Sequence, residues 1–196
     1  MKTPFIIVAY YTVNTLYEMH ADVLIKSIKR LNMIYYIEGI TDLGGWYKNT
    51  GYKPIFIKRM LLRFPKFNIV YIDIDAEFIK YPILFDTLDC NIAVYELDRS
   101  DNPRGIGKTE VLSGTIFLKN NSYILDLVKR WEIRCKEKPK SLDQRVLRKV
   151  LCGNYYKLPG EYCKIFDRMN DVVDPVIVQY QASRKIKRNK NKIEER

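Results

Sequence analysis

Two carboxylates one residue apart, Asp73 and Asp75, close the most apolar stretch of the chain, Asn68-Ile69-Val70-Tyr71-Ile72-Asp73-Ile74-Asp75-Ala76-Glu77-Phe78. Side chains of a strand alternate faces, so the two acids share one. Where the strand loosens, both meet at its carboxyl end, the place where open α/β sheets hold ligands. Acids this close repel. A hard divalent cation such as Mn²⁺ or Mg²⁺, bound through carboxylate oxygen, relieves that repulsion. The pair therefore reads as a metal and anion site, with a strand followed by an acidic turn as the plainer alternative.

Other candidate chemistries are weaker. Gly105-Ile106-Gly107-Lys108-Thr109 ends like a phosphate-binding loop, but Asn102 stands where its first glycine is needed, and a strand follows instead of a helix. Asp73-Ile74-Asp75 resembles the opening of a haloacid-dehalogenase-type phosphatase motif, which wants Thr or Val where Glu77 stands. A phosphatase or nucleotidyltransferase using this pair is thus an alternative. A Ser-His-Asp triad would have to use the single histidine, His20, inside a helical stretch that favours a structural role. Cys90, Cys135, Cys152 and Cys163 lack metal-ligand spacing and read as reduced thiols. Asp143-Gln144 opens a helix after Lys140-Ser141-Leu142, where Ser141 or Asp143 suits an N-terminal cap.

The 196 residues, 47% hydrophobic, suit one domain with a sizeable core. No apolar run approaches a membrane span, and the N-terminus lacks signal-peptide organisation, so a cytoplasmic location is expected. Net charge is +11, and residues 184–196 carry seven basic and two acidic side chains. Residues 1–186 are expected as the domain and 187–196 as a basic tail, with peripheral contact to an anionic membrane as one use for it. A basic nucleic-acid-binding domain is the non-enzymatic alternative, but Tyr10-Tyr11, Tyr35-Tyr36 and Tyr155-Tyr156 fall in or beside strands, where packing is their better use. No nucleic-acid partner is expected.

The elements that must position Asp73 and Asp75 follow from periodicity. Phe5–Tyr10 and Met33–Ile37 read as strands flanking a helix over Leu16–Leu31, whose stripe is Leu16, Met19, Val23, Leu24, Ile28 and Leu31. Residues 41–54 read as a loop, with Pro54 starting a helix to Phe64. Ile92–Leu97 and Val111–Leu118 are strands, the second interrupted by Gly114, a sign of a bulge or close approach. Helices follow over Ser122–Lys136 and Asp143–Leu151, then short strands over Tyr155–Leu158 and Val176–Tyr180.

Several segments, in this order, give the chain a resemblance to the small GT-A nucleotide-diphospho-sugar glycosyltransferases of bacteria and large DNA viruses. They are Ala9-Tyr10-Tyr11-Thr12, Trp46…Lys53-Pro54, Val70 to Ala76, Leu112 to Phe117, Asp143-Gln144, Leu158-Pro159…Tyr162-Cys163 and Gln181-Ala182-Ser183-Arg184. The resemblance implies a single-domain α/β fold with a central, mostly parallel mixed sheet flanked by helices. It implies transfer of a sugar from a nucleotide-diphosphate sugar, uridine being the expected base, to a hydroxyl of a glycan, lipid or protein. Ala9, Tyr10, Tyr11 and Thr12 would then hold the nucleoside. Asp73, Ile74 and Asp75 would hold ribose and a Mn²⁺ or Mg²⁺ on the diphosphate, with Lys53 and Arg184 as further donor contacts. Ser113, Gly114 and Thr115 would line the sugar or acceptor cleft, and Asp143 and Gln144 would lie at the reacting carbon. An inverting enzyme needs a carboxylate base, for which Asp143 is first candidate and Glu96 and Asp98 next; in a retaining one Gln144 would face that carbon. Many members carry a histidine, a third metal ligand, where this chain has Gln179.

Overall fold

The apolar run ending in Asp73 is nearly continuous because both of its faces are covered. In the computed structural model, which describes residues 3–99 and 109–182, this run forms β3 (Asn68–Ile72), every residue of it buried. Before it come β1 (Phe5–Thr12), α1 (Tyr17–Arg30), β2 (Tyr35–Ile40), α2 (Trp46–Gly51) and α3 (Lys53–Arg63). After it come β4 (Ala76–Phe78), α4 (Leu84–Thr87), β5 (Ile92–Asp98), β6 (Thr109–Leu118), α5 (Ser122–Glu137) and α6 (Asp143–Leu151). Three short strands close the described chain: β7 (Tyr156–Lys157), β8 (Lys164–Ile165) and β9 (Ile177–Gln179).

Six strands form the main sheet in the order β2-β1-β3-β6-β5-β7, and β4-β9-β8 form a small second sheet. In the main sheet β6 alone runs against its neighbours; the other pairings are parallel. Ile69 and Tyr71 of β3 pack with Phe56 and Met60 of α3 and Trp131 of α5 on one face. Val70 and Ile72 pack with Leu24 and Ile28 of α1, Phe78 and Ile177 on the other. This two-sided cover is the α/β arrangement expected from the sequence.

Several local expectations are corrected. The acidic stretch is not one strand. It breaks at residues 73–75 and resumes as β4, paired to β9. Residues 46–51, expected as loop, form α2. In α1 the buried residues are Ala21, Leu24, Ser27 and Ile28, while Leu16, Met19 and Val23 are exposed. Ser27 is tolerated inside because its hydroxyl donates to the Leu24 carbonyl (2.8 Å) and accepts from the Phe78 amide (3.1 Å). At Gly114 the expected bulge is present. The strand continues through it: Val94 of β5 pairs with Ile116 and Tyr95 with Leu112, so Ser113, Gly114 and Thr115 are extra on the β6 side. Residues 100–108, which include most of the Gly105–Thr109 run, together with Arg184 and the boundary between domain and tail, lie outside the described residues.

Candidate active site

The bulge brings β6 against the end of β3. The Asp73 amide donates to the Gly114 carbonyl at 2.8 Å. A Cβ on Gly114 would lie 3.3 Å from Asp73 Oδ2 and 3.3 Å from both Cδ and Nε2 of Gln179, so glycine here permits a close approach. Gln179 uses its amide nitrogen to donate to the Gly114 carbonyl (3.0 Å) and Thr115 Oγ1 (3.1 Å).

Lys53 is the buried centre of the cluster, 3% exposed. It is the first residue of α3, ahead of Pro54, which opens the helix without loss of an intrahelical hydrogen bond. Its Nζ lies 3.0 Å from Asp73 Oδ1 and 3.0 Å from Asp143 Oδ2. It also donates to the Ser113 carbonyl (3.1 Å) and Oγ (2.9 Å). Ser113 Oγ in turn donates to Asp143 Oδ2 (2.7 Å), and Tyr71 donates to Asp73 Oδ1 (2.9 Å). The Trp131 indole donates to the Asp143 carbonyl (3.1 Å), anchoring the start of α6. Burial pulls the Lys53 pKa down, but Asp143 and Asp73 outweigh it and leave the ammonium above its ordinary value. Neither Ser141 nor Asp143 caps α6 with its side chain; Leu142 holds that position without a side-chain hydrogen bond. The Asp143 carboxylate points inward to Lys53 instead.

Asp75 is held from the other side. Its Oδ2 accepts from the Ala182 amide (2.6 Å) and its carbonyl from the Tyr180 amide (2.9 Å). Burial and the Asp73 charge push its carboxyl up to about 6, against the Ala182 hydrogen bond. Tyr17, pushed up to about 12 by burial and by Asp75 and Asp73, completes this corner. Among the described residues no group of three or more His, Cys, Asp or Glu side chains is arranged to hold a metal ion.

These residues floor a cleft of about 420 Å³. Of the candidates read from the sequence, Tyr10, Tyr11, Thr12, Lys53, Asp73, Ile74, Asp75, Ser113, Gly114, Asp143, Gln144 and Gln179 line it. Ala9 and Thr115 do not: both are fully buried, Ala9 in the core and Thr115 behind Gln179. Glu96 takes hydrogen bonds from Tyr155 and pairs with Lys157, and neither it nor Asp98 lines the cleft. His20 sits half-buried in α1 and also stands outside it. Sequence reading missed Tyr17, Asn49, Thr50 and Arg99 as lining residues. Trp46 and Gln181, noted there only as part of the resemblance, also line the cleft.

Comparison with known proteins bears on what this cleft serves. Residues 46–194 match the family described as nucleotide-diphospho-sugar transferase. The chain belongs to that family. No curated protein matches the sequence. Solved structures share the fold at low identity. One is a glycosyltransferase involved in glycosylation of the major capsid of PBCV-1, with a TM-score of 0.70 and 15% identity over 91% of this chain and 94% of that one. The galactosyltransferase LgtC, solved with donor and acceptor sugar analogues, gives 0.59 and 13% over 90% and 87%. GlyE of Streptococcus pneumoniae TIGR4 gives 0.59 and 15% over 90% of this chain but 55% of its own. The GT-A expectation therefore holds for the fold, and this nucleotide-diphospho-sugar transferase is an enzyme of the glycosyltransferase class. The phosphatase, nucleotidyltransferase and nucleic-acid readings give way to it. No helix among the described residues is long and apolar enough to cross a membrane. The membrane contact expected of the tail concerns residues outside the described ones, and the comparisons give it no support.

Proposed function

We propose that the cleft binds a nucleoside-diphosphate sugar, with uridine as the base, through a divalent cation at Asp73 and Asp75, and that the sugar passes to a hydroxyl of a glycan, lipid or protein. The observation that carries this reading is the pair of carboxylates on the cleft floor, beside a buried ammonium, in a chain of this family. The donor set suits Mn²⁺ or Mg²⁺. Such ions are commonly held by one or two carboxylates and take their remaining ligands from phosphate and water. Asp73 Oδ1 is engaged by Lys53 and Tyr71, and Asp75 Oδ2 by Ala182, so each carboxylate has its other oxygen to offer. The raised Asp75 carboxyl fits as well, since a cation supplies the counter-charge this site lacks. Gln179 can contribute only its amide oxygen, because its nitrogen is committed to Gly114 and Thr115.

When bound, the cation stabilises negative charge on the departing diphosphate. The chain's own residues arrange the rest. Lys53 fixes Asp73 and Asp143 relative to each other across the floor. Asp143, with Oδ2 held by Lys53 and Ser113, is a fixed carboxylate beside the sugar and stays the first candidate for the base of an inverting reaction. Tyr11 and Trp46 offer aromatic surface to the base. The test is thermal stability and calorimetry with uridine diphosphate and Mn²⁺. Saturation near a hundred times the dissociation constant stabilises by roughly 2.7 kcal/mol. Wild type should show this only with metal and Asp75→Asn not at all; an equal response with chelator present would refute the metal-dependent reading.

A further inference from the structure

Beyond the aspartates, the far wall of the cleft carries Arg99, at the end of β5, and Gln144, in the first turn of α6. Glu110 of β6 sits behind both without lining the cleft. Its Oε1 accepts from Gln144 Nε2, and its Oε2 pairs with the Arg99 guanidinium. One helical turn further along α6, Arg148 donates to the carbonyl and hydroxyl of Thr109, so two links on one helix face tie α6 to the start of β6.

We infer that Glu110 is a positioning residue that makes this wall a paired acceptor and donor for adjacent hydroxyls of the transferred sugar. The argument is one of valence. A carboxylate only accepts hydrogen bonds, so it must face the nitrogen of the Gln144 amide, and the amide oxygen is then turned away from Glu110. Gln144 thereby offers the cleft an acceptor. Arg99 has five N–H donors, and the ion pair leaves others to point into the cleft while fixing the guanidinium plane. An acceptor and a donor held side by side match two neighbouring sugar hydroxyls.

Their position suits the sugar and not the diphosphate. Glu110 lies four residues before Gly114 on β6, on the order of 10 Å along the strand from Asp73. The family's donor is a diphosphate with a sugar at its end, and this is the distance at which that end lies if the diphosphate sits at the aspartates. The inference rests on the donor-cleft reading proposed above.

The test compares uridine diphosphate with UDP-glucose, UDP-galactose and UDP-N-acetylglucosamine, all with Mn²⁺, by calorimetry and by donor hydrolysis. Wild type, Glu110→Ala and Glu110→Gln are measured side by side. Wild type is expected to bind uridine diphosphate and to prefer one sugar nucleotide. Glu110→Ala should keep uridine diphosphate affinity within about twofold, as a folded cleft would. It should lose roughly tenfold or more of the hydrolysis rate for the preferred donor, the scale of one charge-assisted hydrogen bond. Its ratio between UDP-glucose and UDP-galactose, which differ in one hydroxyl's direction, should move toward one. Glu110→Gln keeps an acceptor for Gln144 and should recover part of the rate. Unchanged selectivity and rate in Glu110→Ala overturn the inference while leaving the donor cleft intact. Failure of wild type to bind uridine diphosphate overturns the donor-cleft reading, and this inference with it.

Discussion

Replacing Lys53 with methionine keeps the length of the side chain and takes away its charge. In the native site the ammonium stands 3.0 Å from each of two carboxylates and donates twice to Ser113. Asp143 is 5% exposed and can regain little hydration in place of that partner, whereas the Asp73 side chain, 37% exposed, can regain more. Removing one member of a buried, hydrogen-bonded ion pair costs about 3–5 kcal/mol. Most of that should fall on Asp143. For a chain of this size the melting temperature should drop by roughly 10 °C at neutral pH without metal. Adding Asp143→Asn to Lys53→Met should then cost less than the sum of the two single changes. Thermal and urea unfolding at pH 7 check both statements. A Lys53→Met protein within about 1 kcal/mol of wild type at pH 7 would show that the carboxylates do not depend on Lys53, and the account of the site's electrostatics would fail.

Asp75→Asn should abolish metal-dependent nucleotide binding yet stabilise the metal-free protein by about 1–3 kcal/mol above pH 6, because a carboxyl raised from its ordinary value to about 6 makes ionisation costly in the fold. By the same linkage, metal-free wild type should lose stability as pH rises from about 4 to about 6, and Mn²⁺ affinity should fall as pH drops below about 6; a flat response in denaturation and calorimetry would contradict both. Gly114→Ala should cost only about 1 kcal/mol in stability but weaken Mn²⁺ and uridine diphosphate binding severalfold, since its methyl would crowd Asp73 Oδ2 and Gln179 at 3.3 Å. Gln179→His should tighten Mn²⁺ if the amide oxygen faces the ion, imidazole being the better ligand; unchanged calorimetry with an intact fold would place position 179 outside the metal's coordination shell.

The carboxylate pair was legible because its signal is local: an unbroken β-branched run with acids at its end announces a covered strand and the loss of it. The cluster around Lys53 was not. Lys53 meets Ser113 across 60 positions, and Ser113 meets Asp143 across 30. Only tertiary packing brings them together, and the local sequence around Asp143 argues for a cap instead. α1 was placed correctly and its buried face only in part: Leu24 and Ile28 are in the core as expected, while Leu16, Met19 and Val23 are not. Leu16, Met19 and Val23 satisfy helical periodicity as well as the true buried face does, and Ser27 conceals that face because its polar atoms are satisfied by Leu24 and Phe78. α2 escaped notice because Trp-Tyr-Lys-Asn-Thr-Gly contains few strong helix formers. It is fastened from outside: Asp42 Oδ1 accepts from the Gly44 and Gly45 amides and from Asn49 Nδ2, each at 2.9 Å, and Tyr10 donates to the Asn49 carbonyl at 2.7 Å.

The bulge in β6 also bears on how such an enzyme can change its substrate. The three extra residues divide the strand into two lengths with separate registers. Ile116 to Leu118 pair with Ile92 to Val94 and lie in the core, while Thr109 to Leu112 pair with Tyr95 to Asp98 and reach the wall of the cleft. Each length is hydrogen-bonded to β5 by itself, and the bulge between them carries Ser113 and Gly114, which hold Lys53, Asp143 and Asp73. If Glu110 sets the sugar wall as inferred above, exchanges between Thr109 and Leu112 would alter which sugar is accepted, whereas changes at Ser113 or Gly114 would reach the carboxylate floor directly. Under that inference, stability rests on the inner length of the strand and selectivity on the outer, so drift in the second need not erode the first.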